Sequence, residues 1–181
     1  WITSKITDYP LTPNQISIAV FFISVFSGLI ISLEGYFFLL LGALLAQLSS
    51  VLDGCDGEIA RLKFLESKFG EWFDRILDRY SDLFILTGLT FHTYFIHKTL
   101  TVFFIGFIAV GGKIILSYTA YVYDSIASAR NNFRIGRDLI IFIILIGALF
   151  NIPYIILVVL AFIVNVEVCK RLWILKDKLD Y

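Results

Sequence analysis

Apolar stretches, separated by connections that alternate between short turns and longer charged loops, run through the whole chain. A hydrocarbon core about 30 Å thick takes roughly 20 apolar helical residues to cross, because each backbone amide has to be bonded within its own segment. Six stretches reach or approach that length, at 14–33, 36–52, 69–96, 101–123, 138–150 and 153–173. They predict an all-α integral membrane protein, with six transmembrane helices in one bundle. In "LTPNQIS" Pro13 suits the first turn of a helix, and the residue before a proline resists the helical region, so the first helix is expected to begin there. The preceding "WITSKITDYP" sets Trp1, Ile2, Ile6 and Tyr9 among polar neighbours, which fits a short interfacial segment or a plain linker. The expected division is a juxtamembrane segment over 1–10 and one membrane domain over 11–181.

Composition agrees with that pattern, since a mean hydropathy of +0.85 with 17% charged residues lies outside the range of soluble domains. The 15 basic and 15 acidic residues cancel, and without a basic excess no nucleic acid is an expected partner. The short turns "EGY", "HKT" and "NIP" carry a single basic residue, Lys98, whereas Arg61, Lys63, Lys68, Arg130, Arg134 and the run from Lys170 fall at the opposite ends. The positive-inside rule then orients a multi-pass protein of the cell membrane with both termini and the charged loops in the cytoplasm. Two cysteines, Cys55 and Cys169, make no disulfide framework and are expected as reduced thiols. A chain that begins at Trp1 and holds no methionine is expected to be part of a longer protein.

The chemistry concentrates in one place. Eight of the 15 acids, from Asp53 to Asp82, fall within thirty residues at the cytoplasmic ends of the second and third predicted spans. On a helix Asp53 and Asp56 share a face by a separation of three, and Asp74 and Asp78 by a separation of four, so two acidic pairs can converge. Carboxylates gathered without counter-charge repel one another, and divalent cations relieve that conflict. An all-oxygen donor set suits Mg2+, Mn2+ or Ca2+ in preference to zinc, and Mg2+ characteristically shares its shell with substrate phosphates. Gly54, Gly57, Ala60 and Gly70 add small positions where backbone can approach a base or a diphosphate, and Arg61 adds a cation. The plainer alternative is a solvated acidic face paired with neighbouring Arg and Lys, and Glu58, Glu66 and Glu71 keep that interpretation.

Eight residues also carry a resemblance. Asp53, Asp56, Gly57, Ala60, Arg61, Gly70, Asp74 and Asp78 match, with none missing, the D-x2-D-G-x2-A-R-x8-G-x3-D-x3-D signature of the CDP-alcohol phosphotransferases. "LTPNQIS" is similar to that family's approach to its first span. The resemblance implies a dimeric six-helix bundle that binds two metal ions, Mg2+ or alternatively Mn2+, and transfers a substituted phosphate group from a CDP-alcohol donor to an alcohol acceptor with release of CMP. It implies Asp53, Asp56, Asp74 and Asp78 as metal ligands, Asp78 as the general base as well, and Asp53, Gly57, Ala60, Arg61 and Gly70 as the nucleotide site.

The acceptor is less well defined. Lys113 lies inside the fourth predicted span, where an ionisable residue is costly and faces a partner or a polar cavity. Together with Arg134, Arg137 and Asp82 it would suit a phosphorylated acceptor; alternatively Lys113 pairs with Asp82 and the arginines only obey the positive-inside rule. Within the family, "DGCDGEIARLKF" and "FGEWFDRILDRYSD" most resemble the di-myo-inositol-phosphate-phosphate synthases, which implies CDP-inositol, inositol 1-phosphate and a fused or partner cytidylyltransferase domain. The alternative within the family is a phospholipid synthase using CDP-diacylglycerol. Two more distant alternatives are an aspartate-rich prenyltransferase, whose acidic motifs lie farther apart, and a divalent-cation transporter, which needs polar residues through both leaflets. His92 falls about 21 Å from Asp78 along the helix and His97 farther still, and both are given no catalytic role.

Overall fold

The computed structural model describes residues 12–126 and 135–179. The interfacial segment, Arg130 and Arg134 lie outside the described residues. Among those described, six helices follow one another: α1 (Pro13–Ile31), α2 (Tyr36–Leu62), α3 (Lys68–His97), α4 (Leu100–Ile126), α5 (Arg137–Leu149) and α6 (Pro153–Leu179).

Local chemistry sets the helix ends. Pro13 occupies the first turn of α1, and the amide of Thr12 donates to Gln15 Oε1 at 3.0 Å, filling one side of a capping arrangement. Ser67 caps α3 by accepting from the Gly70 amide at 3.0 Å. At the far end of α3, Lys98 adopts a left-handed conformation and its amide returns to Tyr94 O at 2.7 Å.

The expected second span, 36–52, ends ten residues short of the helix that contains it. Hydropathy marks where a helix meets lipid, whereas the helix itself carries on through Asp53, Gly54, Asp56 and Gly57 because a glycine in a helix interior costs only about 1 kcal/mol. That continuation places Asp53 and Asp56 on one rigid rod.

α1 packs against α2 and α3, α4 against α6, and the two groups join through α2 with α5 and α3 with α4. A continuous apolar core, including Ile31, Leu39, Ile85, Leu89, Ile141 and Leu157, runs through the middle. A smaller cluster of Ile16, Val20, Cys55 and Ile59 joins α1 to α2 beneath the acids. Around the outside Phe22, Phe26, Phe104, Phe107, Phe162 and Trp173 are exposed, as a lipid-facing surface would have them.

Three helices are long and apolar enough to cross a membrane by length and composition: α1, α2 and α4 over Leu100–Ala120. The other three expected spans fall outside that set for physical reasons. α3 begins with charged turns, and α5, with 13 residues, is only about 20 Å long at 1.5 Å per residue. α6 buries Glu167 and Arg171, whose side chains meet at 3.3 Å while Arg171 also donates to Leu116 O of α4 at 3.1 Å.

Two contacts between backbones hold the end opposite the acids. A Cβ on Gly88 of α3 would stand 2.1 Å from the carbonyl oxygen of Gly28 in α1, and one on Gly42 of α2 would stand 2.4 Å from Ile31 Cγ1. Small residues allow such close approach, and Ser27 of α1 adds a hydrogen bond to Gly42 O at 2.8 Å. His92, buried on α3, places Nδ1 2.8 Å from Leu33 O in the α1–α2 turn.

Candidate functional site

At the other end the same three helices carry the acids. The spacing of the acids does what the sequence required: carboxylate oxygens of Asp53 from α2 and of Asp74 and Asp78 from α3 all lie within 4.8 Å of one another. All three side chains are half-buried. Asp56, one turn along α2, stands beside this trio and is buried; its carboxylate accepts from Ser17 Oγ of α1 at 2.5 Å and from the Gly57 amide at 2.6 Å. Each helix of the trio therefore contributes to one acidic floor.

Counter-charge comes from elsewhere in the chain. Arg137, the first residue of α5, points its guanidinium into the group: Nη1 lies 2.8 Å from Asp53 Oδ1 and also pairs with Asp78 Oδ1. Its Nη2 donates to Ser24 Oγ at 3.2 Å, and Nε is 3.6 Å from Asp82 Oδ1. α5 is tied to α2 at this level, because Ser50 Oγ donates to Asp138 at 2.6 Å. One turn deeper, Lys113 of α4 pairs with Asp82 at 3.1 Å, both side chains buried, which is the pairing the sequence offered as the alternative for Lys113. Arg137 and Lys113 thus pair directly with Asp53, Asp78 and Asp82, whereas Asp56 and Asp74 make no ion pair among the described residues.

A cavity of about 560 Å³ opens next to this floor, lined by Asp56, Gly57, Ala60, Arg61, Gly70 and Asp74 together with Asn14 and Ser17 of α1. The structure therefore gathers four of the sequence's nucleotide candidates, Gly57, Ala60, Arg61 and Gly70, around one space, and sets the fifth, Asp53, behind them in the acidic trio. A Cβ on Gly57 would meet only Arg61 Nη1, at 3.5 Å, and Nη2 among the described residues, so the glycine keeps the cavity wide. At Gly70 a Cβ would stand 3.0 Å from Ser67 Oγ and 3.1 Å from Asn14 Oδ1, so this glycine lets the cap of α3 sit against α1.

Sequence reasoning missed Asn14 and Ser17, which it read only as a helix start. Their signal was available in one respect: both are polar residues on the first two turns of a helix that is otherwise apolar. Arg137, expected at the acceptor, pairs with Asp53 and Asp78 and reaches toward Asp82, because the start of α5 lies against α2 at the level of Ser50. Glu71, given the plain interpretation, forms an exposed pair with Arg75 one turn on.

The donor set fits hard divalent cations. It is made of carboxylate oxygens, its Asp74 makes no ion pair among the described residues, and it borders a cavity of a size for a nucleotide.

Comparison with known proteins gives the same direction. The family model described as CDP-alcohol phosphatidyltransferase matches residues 10–168. The "Bifunctional IPC transferase and DIPP synthase" of Aquifex aeolicus (strain VF5) is 33% identical over 98% of this chain and 42% of its own length, so the chain spans less than half of that relative. The "Archaetidylinositol phosphate synthase" of Pyrococcus horikoshii is 29% identical over 99% of this chain and 91% of its own. Among solved structures, the phosphatidylinositol phosphate synthase of Mycobacterium tuberculosis with CDP-DAG bound superposes with a TM-score of 0.78 at 21% identity, covering 94% of this chain and 89% of that one. Its complex with manganese and citrate gives a TM-score of 0.74 at the same 21% identity, over 95% of this chain and 87% of that one. At that identity the likeness is one of fold.

Proposed function

The chain belongs to the CDP-alcohol phosphatidyltransferase family, and from that premise we propose that it moves a substituted phosphate group from a CDP-alcohol to the hydroxyl of an acceptor alcohol, releasing CMP. The observation that carries this reading is the convergence of Asp53, Asp74 and Asp78 within 4.8 Å beside a cavity walled by Gly57, Ala60, Arg61 and Gly70. Neither feature has a structural purpose of its own, since buried like charges cost stability and an open cavity forgoes packing.

The residues divide the work as follows. Gly57, Ala60, Arg61 and Gly70 would frame the nucleotide, with Asn14 closing the wall on the α1 side. Asp53, Asp56, Asp74 and Asp78 would hold two divalent ions, Mg2+ or Mn2+, which supply charge neutralisation at the diphosphate. Asp78 takes the proton of the acceptor hydroxyl as the new oxygen–phosphorus bond forms and the bond to CMP breaks. Ser17 holds the Asp56 carboxylate in one orientation through its 2.5 Å hydrogen bond. Lys113, Asp82, Arg137 and Arg134 remain the acceptor residues of this reading; Lys113 and Asp82 are matched as a pair, which suits them to hold a hydroxyl-rich acceptor between them.

For the substrates, CDP-inositol and inositol 1-phosphate are the first choice, supported by 33% identity over nearly the whole chain to the bifunctional relative. A cytidylyltransferase unit, fused or separate, belongs to the same proposal. CDP-diacylglycerol or another lipid donor is the second choice, favoured by the near full-length match to an archaetidylinositol phosphate synthase. The reading includes six membrane crossings within one domain over 11–181, an active site facing the cytoplasm, and a homodimer. The face to test for the dimer is the apolar groove of about 710 Å³ between α3 and α4, lined by Phe91, Phe104 and Phe107.

The experiment is CMP release by the purified protein with Mg2+, run with each donor and its acceptor. Release with the inositol pair is expected, and Asp78→Asn should lower turnover about a thousandfold or more while CMP still binds, in line with removal of a general base. Release with the lipid donor only would replace the inositol assignment, and no release with any CDP-alcohol would defeat the transferase reading.

A further inference from the structure

Arg137 engages two of the three carboxylates that could hold a metal ion. Its Nη1 lies 2.8 Å from Asp53 Oδ1 and pairs with Asp78 Oδ1, and these two carboxylates belong to the trio whose oxygens come within 4.8 Å of each other. A carboxylate oxygen that accepts from a guanidinium has given up part of the lone-pair density a divalent ion would use, and a cation two charges strong placed on the same oxygens would repel the guanidinium at close range.

The position of Arg137 is also incompletely satisfied. Nε is buried and, among the described residues, has no hydrogen-bond partner, with Asp82 Oδ1 out of reach at 3.6 Å. A guanidinium in a lasting structural pair is expected to engage its donors as a fork, two parallel bonds to one carboxylate. Here a single nitrogen spans two carboxylates while a second takes a serine hydroxyl.

The backbone beside Arg137 is tied to a neighbouring helix. Ser50 Oγ holds Asp138 at 2.6 Å, so the start of α5 stays on α2 and a change at Arg137 is confined to its side chain. Ser24 of α1 and Asp82 of α3 lie around the same guanidinium.

We propose that Arg137 is the resident cation of the acidic site: it neutralises Asp53 and Asp78 when no metal is bound, and divalent ions load by displacing it from those two carboxylates. The proposal rests on the two-metal reading above. It assigns Arg137 a positioning role in which the same charge both keeps the empty site folded and sets how tightly the ions bind.

The test measures Mn2+ binding directly, by the loss of the free-ion electron paramagnetic resonance signal, on purified full chain in nanodiscs. Arg137→Gln should bind Mn2+ about tenfold more tightly than the wild type, because removing a competitor raises the fraction of binding-competent site. The same variant should melt at a lower temperature in EDTA, with the loss recovered on adding Mn2+. Weaker or equal Mn2+ binding by a folded Arg137→Gln protein would overturn the proposal, since a residue that orients the ligands gives that result. A second measurement needs no variant: phenylglyoxal labelling of Arg137 in the wild type, read by peptide mass, should rise several-fold when Mn2+ is added, and unchanged or reduced labelling would equally overturn it. Asp53→Asn serves as the control for the underlying reading. If the wild type binds no Mn2+, the two-metal reading fails and takes this proposal with it, whereas Mn2+ binding abolished by Asp53→Asn but insensitive to Arg137 defeats the proposal only.

Discussion

The two ends of the α1–α2–α3 group use glycine in opposite ways. At one end Gly28 of α1 and Gly88 of α3 bring backbone onto backbone, so that an added Cβ would fall 2.1 to 2.5 Å from a main-chain carbonyl. At the other end a Cβ on Gly54 would meet nothing within 4 Å among the described residues, and one on Gly57 only the tip of Arg61. The first pair removes space and the second preserves it. The three helices touch at both ends, and beside the contacts at the acid end lies the cavity of about 560 Å³ that Gly57 helps to keep wide.

That contrast makes unequal demands on substitution. The largest effect belongs to Gly88→Val, which drives a side chain into the Gly28 carbonyl and separates α1 from α3; overpacking of this kind is expected to cost about 3 kcal/mol or more. The melting temperature in detergent and the yield of monodisperse protein should both fall sharply. Next comes Gly57→Leu, at the open end, which should weaken CMP binding about tenfold while the melting temperature holds or rises, because leucine favours a helix over glycine by somewhat under about 1 kcal/mol. Equal loss of stability from both variants would erase the distinction between the ends. The smallest is Ser17→Ala, which removes one hydrogen bond to the Asp56 carboxylate and leaves the one from the Gly57 amide, a change of about 0.5 to 1 kcal/mol. It should weaken nucleotide binding in the presence of metal, and Ser17→Thr should restore most of it; calorimetric titration with CMP and Mg2+ reads both.

What could be read from the sequence was what depends on short separations. Asp53 with Asp56 and Asp74 with Asp78 lie three and four residues apart, so the helical period alone aligned them, and Pro13 marked the start of α1. Contacts between distant residues were another matter. Ser17 meets Asp56 across 39 residues and Arg137 meets Asp78 across 59, and nothing local distinguishes these side chains from any serine or arginine near a helix end. The pair between Lys113 and Asp82 was legible as an alternative because a charge within an apolar run has few possible companions. The limits of α2 were misjudged for a different reason, since hydropathy reports contact with lipid and the helix outlasts that contact by three turns.

The pinched end has one more consequence. With Gly28 against Gly88, Gly42 against Ile31 and His92 bridging to Leu33, α1, α2 and α3 are packed tightly onto one another at the end away from the cavity. On the transferase reading proposed above, donor, acceptor and CMP would all be exchanged at the end that carries the cavity, and turnover would be indifferent to an ion gradient.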